Sequence, residues 1–505
     1  MSWRSRGGAA LLALLGTAAG SRAAENPGAG TEAGTVTVAP MATVRERPGI
    51  TGAGWGAAYE VAEGDLRRRK IVAIYPNHPD DWGKTAGTGL SYSWDDGKTW
   101  AAGPDNSPIE HMVDLWQDPL ADGTLVALGV RDLPDPKKPE PPGADGFHTH
   151  RYALGISRDG GTTWSRETAT VRSAAGIGPI ARPLPRILTG RDGAWLMPAY
   201  SWGPGGSRAV LLKSKDRGRT WDVAATMATA AAFKALGVAV TTPWFENMVA
   251  RTADGSLLAV VRTASNARGV LMTVRSTDEG ATWSAPERLL AGTDKRLVAG
   301  KLPNVALLPN GALVLLTAHT KNHCRIHVSW DGRGREWSGA YVITSQSGGN
   351  TSLVPLGRDQ VMVLTSATGR ISAWTVTIRP GVPPSGAETA APVPPTDARA
   401  SATGTGATLT WNVGRGRSGD RAHAGTRYAV TPVLLKAAEP EMAIERYAPI
   451  ETEAGATSLA LAKNLAPGGT YRFEVAAIDA AGRWSTAATT GDVTLRNRTT
   501  PEVNE

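Results

Sequence analysis

Apolar residues along this 505-residue chain come in runs of six to eight, rich in Val, Ile and Leu. They include Lys70–Tyr75 (KIVAIY), Thr124–Arg131 (TLVALGVR), Ala194–Tyr200 (AWLMPAY), Ser256–Arg262 (SLLAVVR) and Ala312–His319 (ALVLLTAH). Runs this short, bounded by turn-forming residues, predict strands, and no long amphipathic helical pattern interrupts them. The last four each follow a hairpin signal: Asp122-Gly123, Asp192-Gly193, Asp254-Gly255 and Asn310-Gly311.

A second pattern is laid over the first. The octapeptide S-x-D-x-G-x-T-W recurs at Ser93–Trp100, Ser157–Trp164, Ser214–Trp221 and Ser276–Trp283, and a copy stretched by one residue runs from Ser329 to Trp337. A supersecondary unit of roughly 55 to 60 residues is therefore repeated. The octapeptide predicts a tight turn between two strands. Ser and Asp side chains bond the turn's own N–H groups, Gly takes the positive-φ position, and Trp returns as an apolar plug. Each copy follows a strand-like run such as Val270–Arg275 and precedes another, which makes it the outer hairpin of a four-stranded blade. The pattern resembles the Asp-box, or bacterial neuraminidase, repeat of the sialidase superfamily. That resemblance implies a six-bladed β-propeller carrying an exo-glycosidase, with the boxes on the periphery; Asp95, Asp159, Asp216, Asp278 and Asp331 are then structural.

The fold class expected is all-β: a six-bladed propeller over residues 35–380, followed by a small β-sandwich. The alternating segment Thr35–Arg47 is placed as the outer strand of the last blade, closing the ring. Blade six, about Ser347 to Pro380, carries no box, and Gln360–Ser366 and Ile371–Ile378 are its expected strands. Residues 381–395 form a Pro/Ala/Gly linker. In residues 396–495 the strand signals Thr408–Trp411, Tyr428–Leu434, Thr457–Leu461 and Tyr471–Ile478 are evenly spaced. This segment resembles a fibronectin type III module. Trp411 stands as the buried tryptophan, and Leu465-Ala466-Pro467-Gly468-Gly469-Thr470-Tyr471 as the L-x-P-G-x-x-Y corner. Such a module implies spacing or attachment. Residues 496–505 are a tail.

Residues 1–24 read as a secretory signal, with Arg4 and Arg6 ahead of the apolar Ala9–Ala19 and a small-x-small site at Ser21-Arg22-Ala23; 25–34 is a flexible leader. A secreted chain, extracellular or periplasmic, with no membrane span is expected. Cys324 is the only cysteine, which excludes an intramolecular disulfide and suits a buried strand position. The net charge of +8 is spread along the chain, and only Arg67–Lys70 is a run, so no nucleic-acid partner is expected. No cofactor is implied. His148 and His150 have near-ligand spacing without a third ligand, so no metal is expected. The chain is expected to be a monomer whose partner is a glycan or glycoconjugate substrate.

If blades are equivalent, like offsets from the blade turns share a level of the central funnel. Seven or eight residues after the turn glycines stand Arg131, Tyr200, Arg262 and His319; nine before stand Asp114 and Glu246. Polar residues ending buried strands demand partners or a ligand. A glycosidase needs an acid and a nucleophile or base flanking the anomeric carbon, with cationic help for an acidic sugar. The sialidase resemblance implies three arginines on the substrate carboxylate, a tyrosine nucleophile with its glutamate, and an aspartic acid/base. Glu246, in Trp244-Phe245-Glu246-Asn247, matches the glutamate, Arg262 the second arginine, and Asp80 or Asp81 the acid/base position. No R-I-P motif lies within Gly52–Glu63. Lys321, Asn322 and Arg325 stand where the third arginine falls, and Asn350 occupies the tyrosine position in Gly349–Leu353. Structural readings stand beside these: Arg262 as an ion-pair partner of Glu246, Asp114 as a turn cap, His319 as a core residue, Asp80 and Asp81 as solvated. Three functions are open: a sialidase-like exo-glycosidase, a non-catalytic glycan-binding propeller, and a hydrolase pairing Asp114 with Glu246 on a neutral or uronic sugar.

Overall fold

A computed structural model describes residues 34–46, 55–63, 66–76, 88–103, 112–117, 124–130, 141–159, 162–184, 186–203, 205–263, 269–318, 323–345, 351–367, 369–381, 392–414, 426–436, 447–461, 465–479, 482 and 484–497. The expected signal, leader and tail, and most of the linker, lie outside these residues. Along the described chain, antiparallel strands succeed one another as six blades around a common axis. Their inner strands are Trp55–Glu63, Met112–Gln117, Ile180–Pro183 continued by Leu188–Thr189, Asn247–Arg251, Lys301–Leu307 and Thr351–Pro355. The first of these packs against both the second and the last, so the ring is closed.

The continuous apolar character of the second strands has a direct cause. Each is covered on both faces by neighbouring blades. In Leu257–Arg262, Leu257, Ala259 and Val261 enter a cluster shared with blade three, while Leu258 and Val260 enter one shared with blade five. Alternation survives, but it alternates between two cores and both are apolar. The propeller interior is thus a set of wedges, one between each pair of blades.

The box turns form as the octapeptide predicts. In blade four the Ser276 hydroxyl donates to Asp278 Oδ1 (2.8 Å) and accepts from Gly280 N (2.8 Å); Thr282 N and Oγ1 donate to the two Asp278 oxygens (2.9 and 2.5 Å); Trp283 Nε1 donates to Gly280 O (3.0 Å). Gly280 has φ 86°, and a Cβ there would stand 2.4 Å from Leu211 Cδ2 of blade three. Glycine is therefore required twice over, by the left-handed backbone and by the adjoining wedge. The residue before it, Glu279, also sits at positive φ and accepts a bidentate bond from Arg251 (2.6 and 2.8 Å). Asp192, Asp254 and Asn310 each cap their inner hairpin by accepting the N–H two residues on, at 3.1 Å in each case.

Closure follows the expected route. Gly34–Val38 pairs antiparallel with Arg370–Pro380 of blade six, from Gly34↔Pro380 to Val38↔Val376, and Ala42–Glu46 continues along the same strand. Blade two and blade three are further joined at their outer edges, where Ser165–Ala174 pairs parallel with Thr220–Thr229.

The described strands from Thr396–Thr403 to Val493–Thr494 form the sandwich, with Trp411 and Tyr471 in its core and Ala466 N donating to the Tyr471 hydroxyl (2.7 Å) at the corner. The sandwich docks directly on the propeller. Ile450–Glu451 pairs parallel with the closing strand at Val38↔Ile450, and Ala448 N donates to Val342 O of blade five (2.9 Å). The Tyr447 hydroxyl bonds both Ser345 Oγ at the end of blade five and the Tyr471 hydroxyl. An outer strand with a free edge exposes unpaired backbone groups, and the sandwich covers them. Cys324 is buried, as read, and burial raises its thiol pKa. Among the described residues no helix is long and apolar enough to cross a membrane, and no group of three or more His, Cys, Asp or Glu could hold a metal ion.

Two outcomes follow from these contacts. Hydrogen bonds from Thr282 and Ser276 hold the Asp278 carboxyl down at about 2, whereas an unfolded aspartate titrates at about 4. Because the folded value is the lower, the box contributes its stability above about pH 4 and loses it as pH falls through about 2. Denaturation of Asp278→Asn should therefore depend less steeply on pH across that window than wild type; identical slopes would reject the assignment. Tyr447→Phe should lower the stability of propeller and sandwich together by about 1–2 kcal/mol, and an unchanged propeller transition would show the two units to be uncoupled.

Candidate active site at the inner-strand entrance

Strand direction divides the propeller into two ends. The boxes join third to fourth strands, so they lie at the end opposite to where inner strands begin and second strands finish. Glu246, immediately before Asn247–Arg251, and Arg262, the last residue of Leu257–Arg262, both belong to the entrance end. The hairpin register brings them together: Arg262 N donates to Glu246 O (2.9 Å), and Arg262 Nη1 donates to Glu246 Oε2. Arg262 is 6% exposed and the Glu246 side chain 13%, so the pair is largely taken out of water.

A third group completes the arrangement. Leu302 N, from the inner strand of blade five, donates to the same Glu246 Oε2 (3.1 Å). Leu302 reaches this position through a bulge between Lys301 and Asn304, with φ 45°, a left-handed conformation costly for a residue with a Cβ. Asn304 holds the bulge, its Nδ2 donating to Leu302 O (3.0 Å) and to Thr351 O of blade six (3.1 Å). Asn247 does the same beside Glu246, donating to Phe245 O (2.8 Å) and to Ala199 O of blade three (2.9 Å). Phe245 in turn packs on Phe233 of the short helix Ala230–Ala235, with ring centroids 5.5 Å apart. Glu246 is fixed from both sides and along its backbone. Oε2 receives Arg262 and Leu302, while Oε1 has no hydrogen bond among the described residues and is not buried. Such a carboxylate presents one oxygen as a base or as an acceptor of a ligand hydroxyl.

Beside it stand three aromatic rings. Trp244 meets Tyr200 (6.4 Å) and Trp202 (5.3 Å) edge to face, and Trp202 Nε1 donates to Pro243 O (2.9 Å), which fixes the approach to Glu246. Tyr200, expected at the funnel mouth, is 1% exposed and packs within the wedge between blades three and four. Its ring stays with the core because Trp202 and Trp244 cover it. Arg325 lies on the third strand of blade five, opposite Thr317, and not on an inner strand. Asp114 is on the inner strand of blade two, opposite Leu128, but its side chain is outside the described set. Asp80, Asp81, Arg131, His319, Lys321, Asn322 and Asn350 also lie outside the described residues. Glu246 and Arg262 are thus the two expected residues brought together; the Leu302 N–H, Asn247 and Asn304 were missed. The two asparagines stand eight and seven residues before their turn glycines Gly255 and Gly311, so an equal-offset count separates them.

With this geometry in view, residues 139–374 match the family model of the BNR repeat-like domain. The described chain is a six-bladed propeller with a C-terminal β-sandwich, and the matched residues span most of blades two to six. Among solved structures it is similar to the α-L-arabinanase of Penicillium chrysogenum, at 15% identity and a TM-score of 0.46, covering 67% of this chain and 98% of that one. The GH93 α-L-arabinofuranosidase of Fusarium graminearum gives the same identity, coverage and TM-score. Trypanosoma rangeli sialidase is 13% identical, with 92% of each chain covered and a TM-score of 0.43. No curated protein sequence matches the chain.

Asn304→Ala would leave the Leu302 and Thr351 carbonyls without their buried donor. We expect urea denaturation to show a loss of about 2–3 kcal/mol; a loss below about 0.5 kcal/mol would mean the bulge holds itself.

Proposed function

We propose that this protein is a secreted glycoside hydrolase acting on a terminal sugar of a glycan, with its active centre at the entrance end around Glu246. The observation that carries the reading is the state of Glu246: one oxygen tied by a guanidinium and a backbone N–H, the other presented. A group so held needs no reorganisation when it takes a proton or accepts a hydroxyl, which is the condition for effective general-base work. Arg262 positions the carboxylate through its charge-assisted bond to Oε2. The acid is assigned to Asp80 or Asp81, and the sugar to sialic acid or another sugar, acidic sugars included, on the strength of the box and Glu246 resemblance. With Asn350 at the position of the family's nucleophile, we assign Glu246 the direct role of base or nucleophile.

A second reading, a glycan-binding propeller without turnover, is favoured by the same ion pair, because a carboxylate engaged by Arg262 is also a sound structural strut. The two part on one substitution. Glu246→Gln preserves shape and should lower turnover of 4-methylumbelliferyl glycosides, sialoside and glucuronide among them, by about 10²–10⁴-fold with binding retained. Absence of turnover by the parent on every sugar of such a panel, with glycan binding intact, would leave the binding reading.

A further inference from the structure

Arg186 is a charged residue that the entrance-end site does not use. It follows the break in the inner strand of blade three, between Ile180–Pro183 and Leu188–Thr189. Its side chain crosses the hub: Nη1 donates to Val305 O of the inner strand of blade five (2.7 Å), and Nη2 to Leu353 O of the inner strand of blade six (3.2 Å). Inner strands have no neighbour on their axial edge, so these carbonyls face the axis and the guanidinium satisfies them. Val305 and Leu353 pair with Leu315 and Val363 in the middle of their blades, which places the guanidinium deeper than the entrance-end pair.

Carbonyl dipoles satisfy hydrogen bonds without cancelling a charge. Among the described residues no carboxylate pairs with Arg186, in contrast to Arg262 with Glu246 and Arg251 with Glu279. Protein surrounds it closely enough that desolvation lowers its pKa to about 10, so at neutral pH the cation persists. A buried cation without a counter-charge is costly, and that cost is relieved by an anion. Arg186 keeps part of its surface accessible, and its Nε–H has no partner among the described residues and is not walled in. Leu302, nearer the entrance end on the inner strand of blade five, belongs to the apolar cluster of Val72, Ile74, Leu90, Leu125 and Ala127. The guanidinium lies at a deeper level than the entrance-end pair, so a ligand bound to it is separate from a glycan bound at Glu246.

We propose that Arg186 forms the centre of an anion-binding site in the propeller hub, occupied by a small monovalent anion of the size of chloride. The anion completes the guanidinium's donor set and offsets the charge that Arg186 places between blades three, five and six across the axis.

Bromide, a chloride analogue visible by anomalous scattering, is the probe. Crystals of the full chain in sodium bromide should show an anomalous peak at hydrogen-bond distance from the Arg186 guanidinium. In solution, bromide should raise the thermal midpoint saturably above an equal ionic strength of the bulky anion isethionate. Arg186→Met should abolish both effects. Should that variant fail to fold, Arg186→Lys, which keeps the charge and loses the fork, should weaken the bromide response by about tenfold. A hub without a bromide peak, together with equal midpoints in the two salts, would overturn the proposal. Neither measurement depends on glycan turnover, so this outcome is independent of the role of Glu246.

Discussion

The structure depends on edge closure. A ring of blades has interior wedges only if every blade has two neighbours, and the sixth acquires its outer strand from the opposite end of the chain. Gly34–Val38 lies between Arg370–Pro380 on one edge and Ile450 of the sandwich on the other. Val36 and Val38 enter the wedge between blades five and six, and Val44 that between blades six and one. One short segment thus seals two wedges and supplies the edge on which the C-terminal unit docks. Thr37 adds a polar tie by donating to Glu451 Oε1 (2.6 Å), and Glu451 is in turn paired with Arg427. Contacts between residues so far apart in sequence form late and cooperatively, which makes the closing strand a point where the two units share their stability.

Much of this was legible because it is written locally. The boxes specify their turns through residues within eight positions of one another, and the Asp-Gly and Asn-Gly hairpins through two. Position in the ring then follows from counting. The docking of the sandwich was not legible. It rests on a parallel bridge at Ile450 and on Tyr447 reaching Ser345, and neither residue carries a local signature of its partner. A Pro/Ala/Gly segment between units sets the reach of a connection, not whether the surfaces it joins will meet.

The same distinction runs through the candidate site. Glu246 and Arg262 were readable as a pair because a hairpin register fixes residues sixteen apart, and the register could be anchored on Gly255. The Leu302 N–H could not be read, since every residue but proline has such a donor and only the bulge aims this one. Asn304, which holds that bulge, is shifted by one from the offset of Asn247, and blade equivalence fails there. Tyr200 shows the converse error. Its offset is that of Arg262, but aromatic neighbours at Trp202 and Trp244 make burial the lower-energy choice.

The two ends of the propeller are under different constraints. At the box end the described turns engage their hydrogen-bonding groups within themselves, and Gly97, Gly280 and Gly334 are pressed against the preceding blade at Met362, Leu211 and Leu258. Little can change there without loss of fold. At the entrance end the fixed parts among the described residues are two asparagine clamps and one bulge that bridge adjacent blades, and one ion pair that ties two strands of blade four. Loops between them can vary while the carboxylate stays in place, the arrangement in which a scaffold acquires specificity by loop exchange. The Glu246–Arg262 pair belongs to both regimes. It ties the inner strand of blade four to its neighbour, and its Oε1 is left over for a ligand, so the strut and the reagent are one side chain.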